Sequence, residues 1–212
     1  MKTGLVLEGG ALRTIYSTGV MDAMLSKDLM VDYVIGVSAG IAYGVSYVSK
    51  QPQRNLEILT RFVNDRRYMG LKNLVDKHNR SYFGLEFSYE TIPNELVPFD
   101  YDTFAAFPGH VEAVVTNLGT GKAEKLQRLI ERRYREYPNF CQTMRERAEK
   151  YNADKEELFE LERQGKVLIF APDSLHGVGR IEHNVEKLRL LWGEGYQHGV
   201  ERMEELESFL GR

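Results

Sequence analysis

The chain has 212 residues, 42% of them apolar and 28% charged, with a formal charge of −3 at pH 7. That length and composition suit one globular domain with a real core and exclude a disordered or fibrous chain. The slight negative charge excludes a mainly electrostatic nucleic-acid binder, and the single cysteine, Cys141, excludes an intrachain disulfide and a cysteine-based zinc site, so a cytoplasmic location fits.

Gly4-Leu5-Val6-Leu7 reads as a short buried strand that ends at the turn residues Gly9-Gly10. Glu8 interrupts the apolar run too early for a secretory leader or a membrane span. Tyr16, Val20, Ala23 and Met24 then recur at helical spacing. Val31 to Val37 forms a second strand, and Ile41, Val45 and Val48 stripe a second helix that stops before Gln51-Pro52. A further helix is predicted from Arg54 to Phe62, then an irregular polar and aromatic stretch from Arg66 to Phe107. His110 to Thr116 is a third strand. Charge density and Pro138 make Lys125 to Gln164 two or three surface helices, with a stop at Gly165. Lys166 to Ala171 reads as a fourth strand closed by Pro172. Val185 to Leu210 carries one apolar helical face, which glycines 193, 195 and 199 weaken enough to allow two helices. Strands alternating with helices predict an α/β protein with a mostly parallel central sheet flanked by helices, and a helical C-terminal part.

Two loops carry the candidate chemistry. Gly36-Val37-Ser38-Ala39-Gly40 is a G-x-S-x-G between a strand and a helix, where a strained turn pushes the serine oxygen out at the carboxyl edge of the sheet. Ser38 would then be a nucleophile at a helix N-terminus; the bland alternative is a serine that only caps the helix. The loop Leu7 to Arg13 also joins a strand to a helix, so the Gly9, Gly10 and Ala11 amides are candidate oxyanion donors at the same edge. A phosphate-binding turn is the competing reading, but neither G-x-G-x-x-G nor a Walker lysine pattern is present.

Together these loops resemble the patatin-like phospholipase family over the N-terminal 120 residues. Its D/E-G-G-G-x-R-G loop reads here Glu8-Gly9-Gly10-Ala11-Leu12-Arg13-Thr14, and its nucleophile elbow reads Gly36-Val37-Ser38-Ala39-Gly40. The resemblance implies a patatin-like α/β/α fold, with a catalytic core over 1–124 and a helical segment plus one strand over 125–212. It implies a serine acyl hydrolase, a lipase or phospholipase A, that cleaves lipid carboxylic esters through an acyl-enzyme on Ser38. Gly9, Gly10 and Ala11 form the oxyanion hole, Arg13 braces or charges the loop, and Gly36 and Gly40 shape the elbow, with no cofactor or metal. Ala11 stands where the family has glycine, which disfavours positive φ there, and Thr14 replaces the glycine after the arginine. The family's base is an aspartate in a D-G-G or D-G-A segment. Here no aspartate precedes a glycine, which implies that a family segment is absent near 123–125. A catalytically inactive lipid-binding or regulatory protein with the same fold is therefore the alternative.

Other features carry less. His78, His110, His176, His183 and His198 are substitute bases, with Asp173 placed before His176 or His198 as a triad would require. Lys125, Arg128, Arg132, Arg133 and Arg135 form a basic amphipathic helix that would touch a membrane peripherally or simply be solvated. The aromatics Tyr68, Tyr82, Phe83, Phe87, Tyr89 and Phe99 line an acyl pocket or lid, or form core under an irregular cap.

Overall fold

The computed structural model describes residues 2–114 and 153–212. They divide into two compact units, Met1–Ala113 with Phe170–Arg212, and Val114–Ile169. In the first unit β1 (Gly4–Leu7) leads through a 3-10 turn (Ala11–Thr14) into α1 (Ile15–Leu25), and β2 (Tyr33–Val37) leads into α2 (Ala39–Val48). β1 and β2 pair in parallel, Leu5 opposite Val34 and Leu7 opposite Gly36. β3 (His110–Val114) lies on the other side of β2, giving three parallel strands in the order β1-β2-β3. The run Tyr33-Val34-Ile35 is β-branched and aromatic, which suits a pleated central strand. Tyr47 ties the end of α2 to the α1–β2 connection: its hydroxyl donates to Leu29 O at 2.8 Å and accepts from Val31 N at 3.1 Å.

α3 (Arg54–Phe62) forms as predicted and buries Leu56, Leu59 and Phe62. The stretch expected to be irregular instead contains α4 (Leu71–Val75), a π-helix (Phe87–Leu96) and α5 (Tyr101–Ala105), the last capped by Asp100, which accepts from Thr103 N at 2.8 Å. Pro93 sits inside the π-helix. A proline there cannot donate to the i−4 carbonyl and its ring crowds it, so the wider i+5 winding is the helix that tolerates it. Its two buried residues, Phe87 and Ile92, stand five apart, a spacing that suits the i+5 winding rather than a 3.6-residue period. Tyr68 and Phe87 are core, with Tyr82 and Phe83 packed against them, whereas Tyr89 is exposed.

The C-terminal segment is two helices, α6 (Val185–Glu201) and α7 (Met203–Phe209), broken at Arg202 rather than at the glycines. Those glycines are packing residues. A methyl on Gly195 would overlap the Tyr16 carbonyl oxygen, one on Gly19 the Trp192 carbonyl oxygen, and one on Gly199 would stand 2.6 Å from Ala23 Cβ. α1 and α6 therefore meet backbone to backbone, with Leu188 and Leu191 fully buried beside the contact.

Asp22, 7% exposed, closes this interface: it accepts from Trp192 Nε1 at 2.8 Å and from Gln53 N at 3.0 Å. Burial outweighs those two bonds and pushes its carboxyl up from 3.8 to about 6. Because the folded state holds this proton more tightly than the unfolded chain, the group's contribution is complete below the unfolded value and is lost as pH climbs through the folded one. Relative to an Asp22→Asn variant, the protein is expected to lose about 2 kcal/mol of stability between about pH 4.5 and 7. Urea unfolding of both proteins across that range checks it.

The fourth strand expected at 166–171 does not form. In the second unit a helix over 153–163 ends at Gly165 (φ +68), where Gly165 N donates to Glu162 O and Lys166 N to Leu161 O, so the predicted stop is present. Ile169 N then bonds Glu162 Oε1 at 2.9 Å. In the first unit Ala171 O accepts from Tyr16 Oη at 3.0 Å. These backbone groups are spent on a helix end and on side chains, and no ladder is built. The basic stretch 125–135, Cys141, the boundary at 124/125 and the position 123–125 lie outside the described residues.

Candidate active site

Ser38 stands alone between the last residue of β2 and the first of α2, with φ 55 and ψ −127. An L-residue held there costs about 1–3 kcal/mol and persists only when its surroundings enforce it. Here they do: a side chain at Gly36 would approach Ile41 N to 2.7 Å, and one at Gly40 would overlap the Leu7 carbonyl oxygen of the neighbouring strand. Strand and helix can cross this tightly only with glycine on both sides of the serine. The Ser38 carbonyl accepts from Ala42 N at 3.2 Å and so starts α2, but its hydroxyl makes no capping bond. Ser38 is exposed, and Oγ has no hydrogen-bond partner among the described residues. The capping alternative therefore fails.

The first loop reaches the same rim of the sheet. A Cβ on Gly9 would lie 3.1 Å from Ser38 Cβ and 2.8 Å from Val37 O, so the two turns touch. Leu12 N is used by Arg180 O at 3.4 Å and Arg13 N by Gly10 O at 3.3 Å. The amides of Gly9, Gly10 and Ala11 have no such partner among the described residues. Of these three residues Gly9 is the one seen against Ser38, and the hydroxyl stands at the N-terminus of α2, where the helix favours negative charge.

A family model for patatin-like phospholipases matches residues 5–164. The chain belongs to the patatin-like phospholipase family. A second model, a domain of unknown function (DUF6363), matches residues 137–211. No curated protein and no solved structure matches the chain. The family match supports a lipid hydrolase family in general.

The departures from the patatin-like pattern have visible consequences. Ala11 adopts φ +51 although it is not glycine, so the loop keeps its left-handed residue at a cost in strain. Ala11→Gly is expected to raise stability by about 0.5–1 kcal/mol without altering the amide's direction; thermal unfolding measures it. Thr14 is buried, its hydroxyl has no partner among the described residues, and it would lie 3.2 Å from a Cβ on Gly10. Arg13 Nε is likewise buried without a partner among the described residues, and Arg13 N donates to Gly10 O at 3.3 Å.

No histidine or carboxylate bonds Ser38 among the described residues. The structure does bring Asp173 to His198, at 3.9 Å, as a triad would require, but away from the serine's hydrogen bonds. Tyr16 gives its one proton to Ala171 O, so its 2.9 Å contact with His198 Nδ1 makes that nitrogen the donor and turns Nε2 toward Asp173. His176 Nε2 pairs with Glu194 at 2.6 Å and His183 Nδ1 meets Val63 O at 3.1 Å. His110 packs its ring against Tyr33. The pairing of Asp173, Glu194 and His198, whose ligating atoms lie within 4.8 Å of one another, was not legible in the sequence because residue 173 and the helix at 194–198 are far apart along the chain. Glu194 is already occupied on both oxygens, by Asp173 N and His176. Position 123–125, where the family's aspartate segment was expected to be absent, is outside the described residues.

Proposed function

We propose that this protein is a serine acyl hydrolase that cleaves carboxylic esters of lipids, with Ser38 as nucleophile. Ser38 Oγ attacks the acyl carbonyl as its proton passes to a base, and the carbonyl oxygen, now negative, is held by the amides of Gly9, Gly10 and Ala11. Collapse expels the alcohol, which takes up a proton, and leaves the acyl group on Ser38; water then releases the acid. Gly36 and Gly40 keep the elbow tight, and Arg13 keeps the donor loop in register. The reaction needs no cofactor. The observation that supports this reading is the contact of Gly9 with Ser38, which brings the first loop against the serine's turn.

One observation favours a second reading, an inactive lipid-binding or regulatory protein: no base bonds Ser38 Oγ among the described residues. Fluorophosphonate labelling of the purified chain separates the two. The hydrolase reading expects one adduct per chain, on Ser38; the binding reading expects none. The single cysteine suits a cytoplasmic location, and among the described residues no helix is long and apolar enough to cross a membrane.

A further inference from the structure

Among the described residues, an exposed apolar surface lies on a loop remote in sequence from the turns at Gly9 and Ser38. Between Gly70 and Gly84 the chain leaves the core and returns, closed at its base by the Met69–Phe83 bridge and by bonds from Gly70 N to Tyr82 O (3.0 Å) and Gly84 N to Tyr68 O (2.9 Å). Every residue from 71 to 80 except Asn73 and Asn79 is exposed, so the loop stands off the body. On its single-turn helix α4, Leu71, Leu74 and Val75 fall on one face at i, i+3 and i+4, and they are 74%, 46% and 81% exposed. Leu85 and Tyr89, just past the loop's base in the chain, are exposed as well.

This exposure is built into the loop rather than the result of a frayed segment. Asn79 Nδ2 donates to the carbonyls of Asn73, Ser81 and Phe83 (3.1, 2.7 and 2.8 Å), and its Oδ1 accepts from Leu85 N at 2.6 Å. Asn73 Nδ2 adds a bond to Tyr82 O at 3.2 Å. The polar side chains are spent holding the loop's shape while the large apolar ones face water. An apolar patch kept in that way marks a contact surface.

Charge selects the occupant. The loop carries Lys72, Lys77 and Arg80 against Asp76 alone, in a chain whose net charge is −3, and Arg66 at its base is exposed as well. Glu86 and Glu90 lie on the helix beyond. Exposed apolar side chains interspersed along one loop with lysine and arginine fit the interface of an anionic bilayer, where the first enter the acyl boundary and the second meet phosphate. The loop is also tied to the helix that bears Ser38. Tyr68, at its base, belongs to the core cluster against which Tyr43 of α2 packs.

We propose that the loop 70–84 docks the protein on an anionic lipid surface, Leu71, Leu74 and Val75 entering the interface and Lys72, Lys77 and Arg80 holding the headgroups. The choice of lipid over other partners rests on the hydrolase reading of Ser38. The test is co-sedimentation of the full chain with vesicles of phosphatidylcholine containing about one-third phosphatidylglycerol, alongside hydrolysis of a soluble short-chain p-nitrophenyl ester. Binding that weakens with salt, and a partition coefficient that falls at least about tenfold both in Leu71→Ser/Val75→Ser and in Lys72→Glu/Lys77→Glu, supports the proposal. Unchanged thermal unfolding and soluble-ester hydrolysis in those variants shows that the loss belongs to the surface. Wild-type vesicle binding in both double variants overturns the proposal, as does a failure of the wild type to bind. So does a wild-type dimer that Leu71→Ser/Val75→Ser converts to monomer, which would assign the patch to a second copy of the chain. Patch-dependent vesicle binding without ester hydrolysis keeps the docking surface and removes the hydrolase reading, so the two fail separately.

Discussion

Replacing Ser38 by glycine is expected to abolish ester hydrolysis and fluorophosphonate labelling while making the protein more stable. The hydroxyl bonds nothing among the described residues, so its loss removes no structural contact. Its backbone, at φ 55 and ψ −127, lies where an L-residue is strained and glycine is at ease. Relief of that strain, less the extra freedom glycine has in the unfolded chain, is worth about 1 kcal/mol, or a rise in melting temperature of about 2–4 °C for a chain of this size. Removing the nucleophile should cut turnover on the order of 10³-fold or more. Ser38→Ala separates the effects: equally inactive, but unchanged in stability because the Cβ and its strain remain. A serine that only capped the helix would behave otherwise: Ser38→Ala would cost about 1 kcal/mol, as losing a helix cap does, and turnover would survive it. Stability curves and ester turnover for the two variants decide between these outcomes.

Gly195→Ala is expected to cost about 3 kcal/mol or more, at or beyond the upper end of what overpacking usually does. The added methyl would overlap the Tyr16 carbonyl oxygen, and a backbone atom cannot rotate away as a side chain would. α1 and α6 would have to separate, loosening the contacts of Leu188, Leu191 and the Asp22–Trp192 bond together. Gly193→Ala, two residues earlier in the same helix, is the control. Nothing lies within 4 Å of its added methyl, so only helix propensity changes and the variant should gain about 0.5–1 kcal/mol. Opposite signs from the same substitution in one helix would establish that close backbone approach, and not glycine's weak propensity, explains the C-terminal glycines. Urea unfolding of both variants measures it.

That contrast shows what the sequence could convey. The elbow and the donor loop were legible because their residue types dictate local backbone: glycines on both sides of one serine after a β-branched strand leave few other geometries. Their meeting at one rim followed from topology, since consecutive parallel strands end at the same edge of a sheet. The glycines of α6 look identical in sequence whether they weaken a helix or admit a neighbour, and only the position of α1 decides. The run 166–171 illustrates a related limit. Apolar residues in a row announce burial, but whether their amides join a ladder depends on which partners arrive, here Glu162 and Tyr16. The π-helix was hidden because its buried residues, Phe87 and Ile92, stand five apart, and the α4 loop because an exposed Leu-x-x-Leu-Val turn has the same spacing as a buried one.

The most direct test of the account is a crystal structure of the protein after reaction with a lipid-like phosphonate. It should show phosphorus bonded to Ser38 Oγ and the phosphoryl oxygen within about 2.7–3.1 Å of amides from Gly9, Gly10 or Ala11. A phosphonate attached to another residue, or one on Ser38 whose oxygen faces away from all three amides, would contradict it.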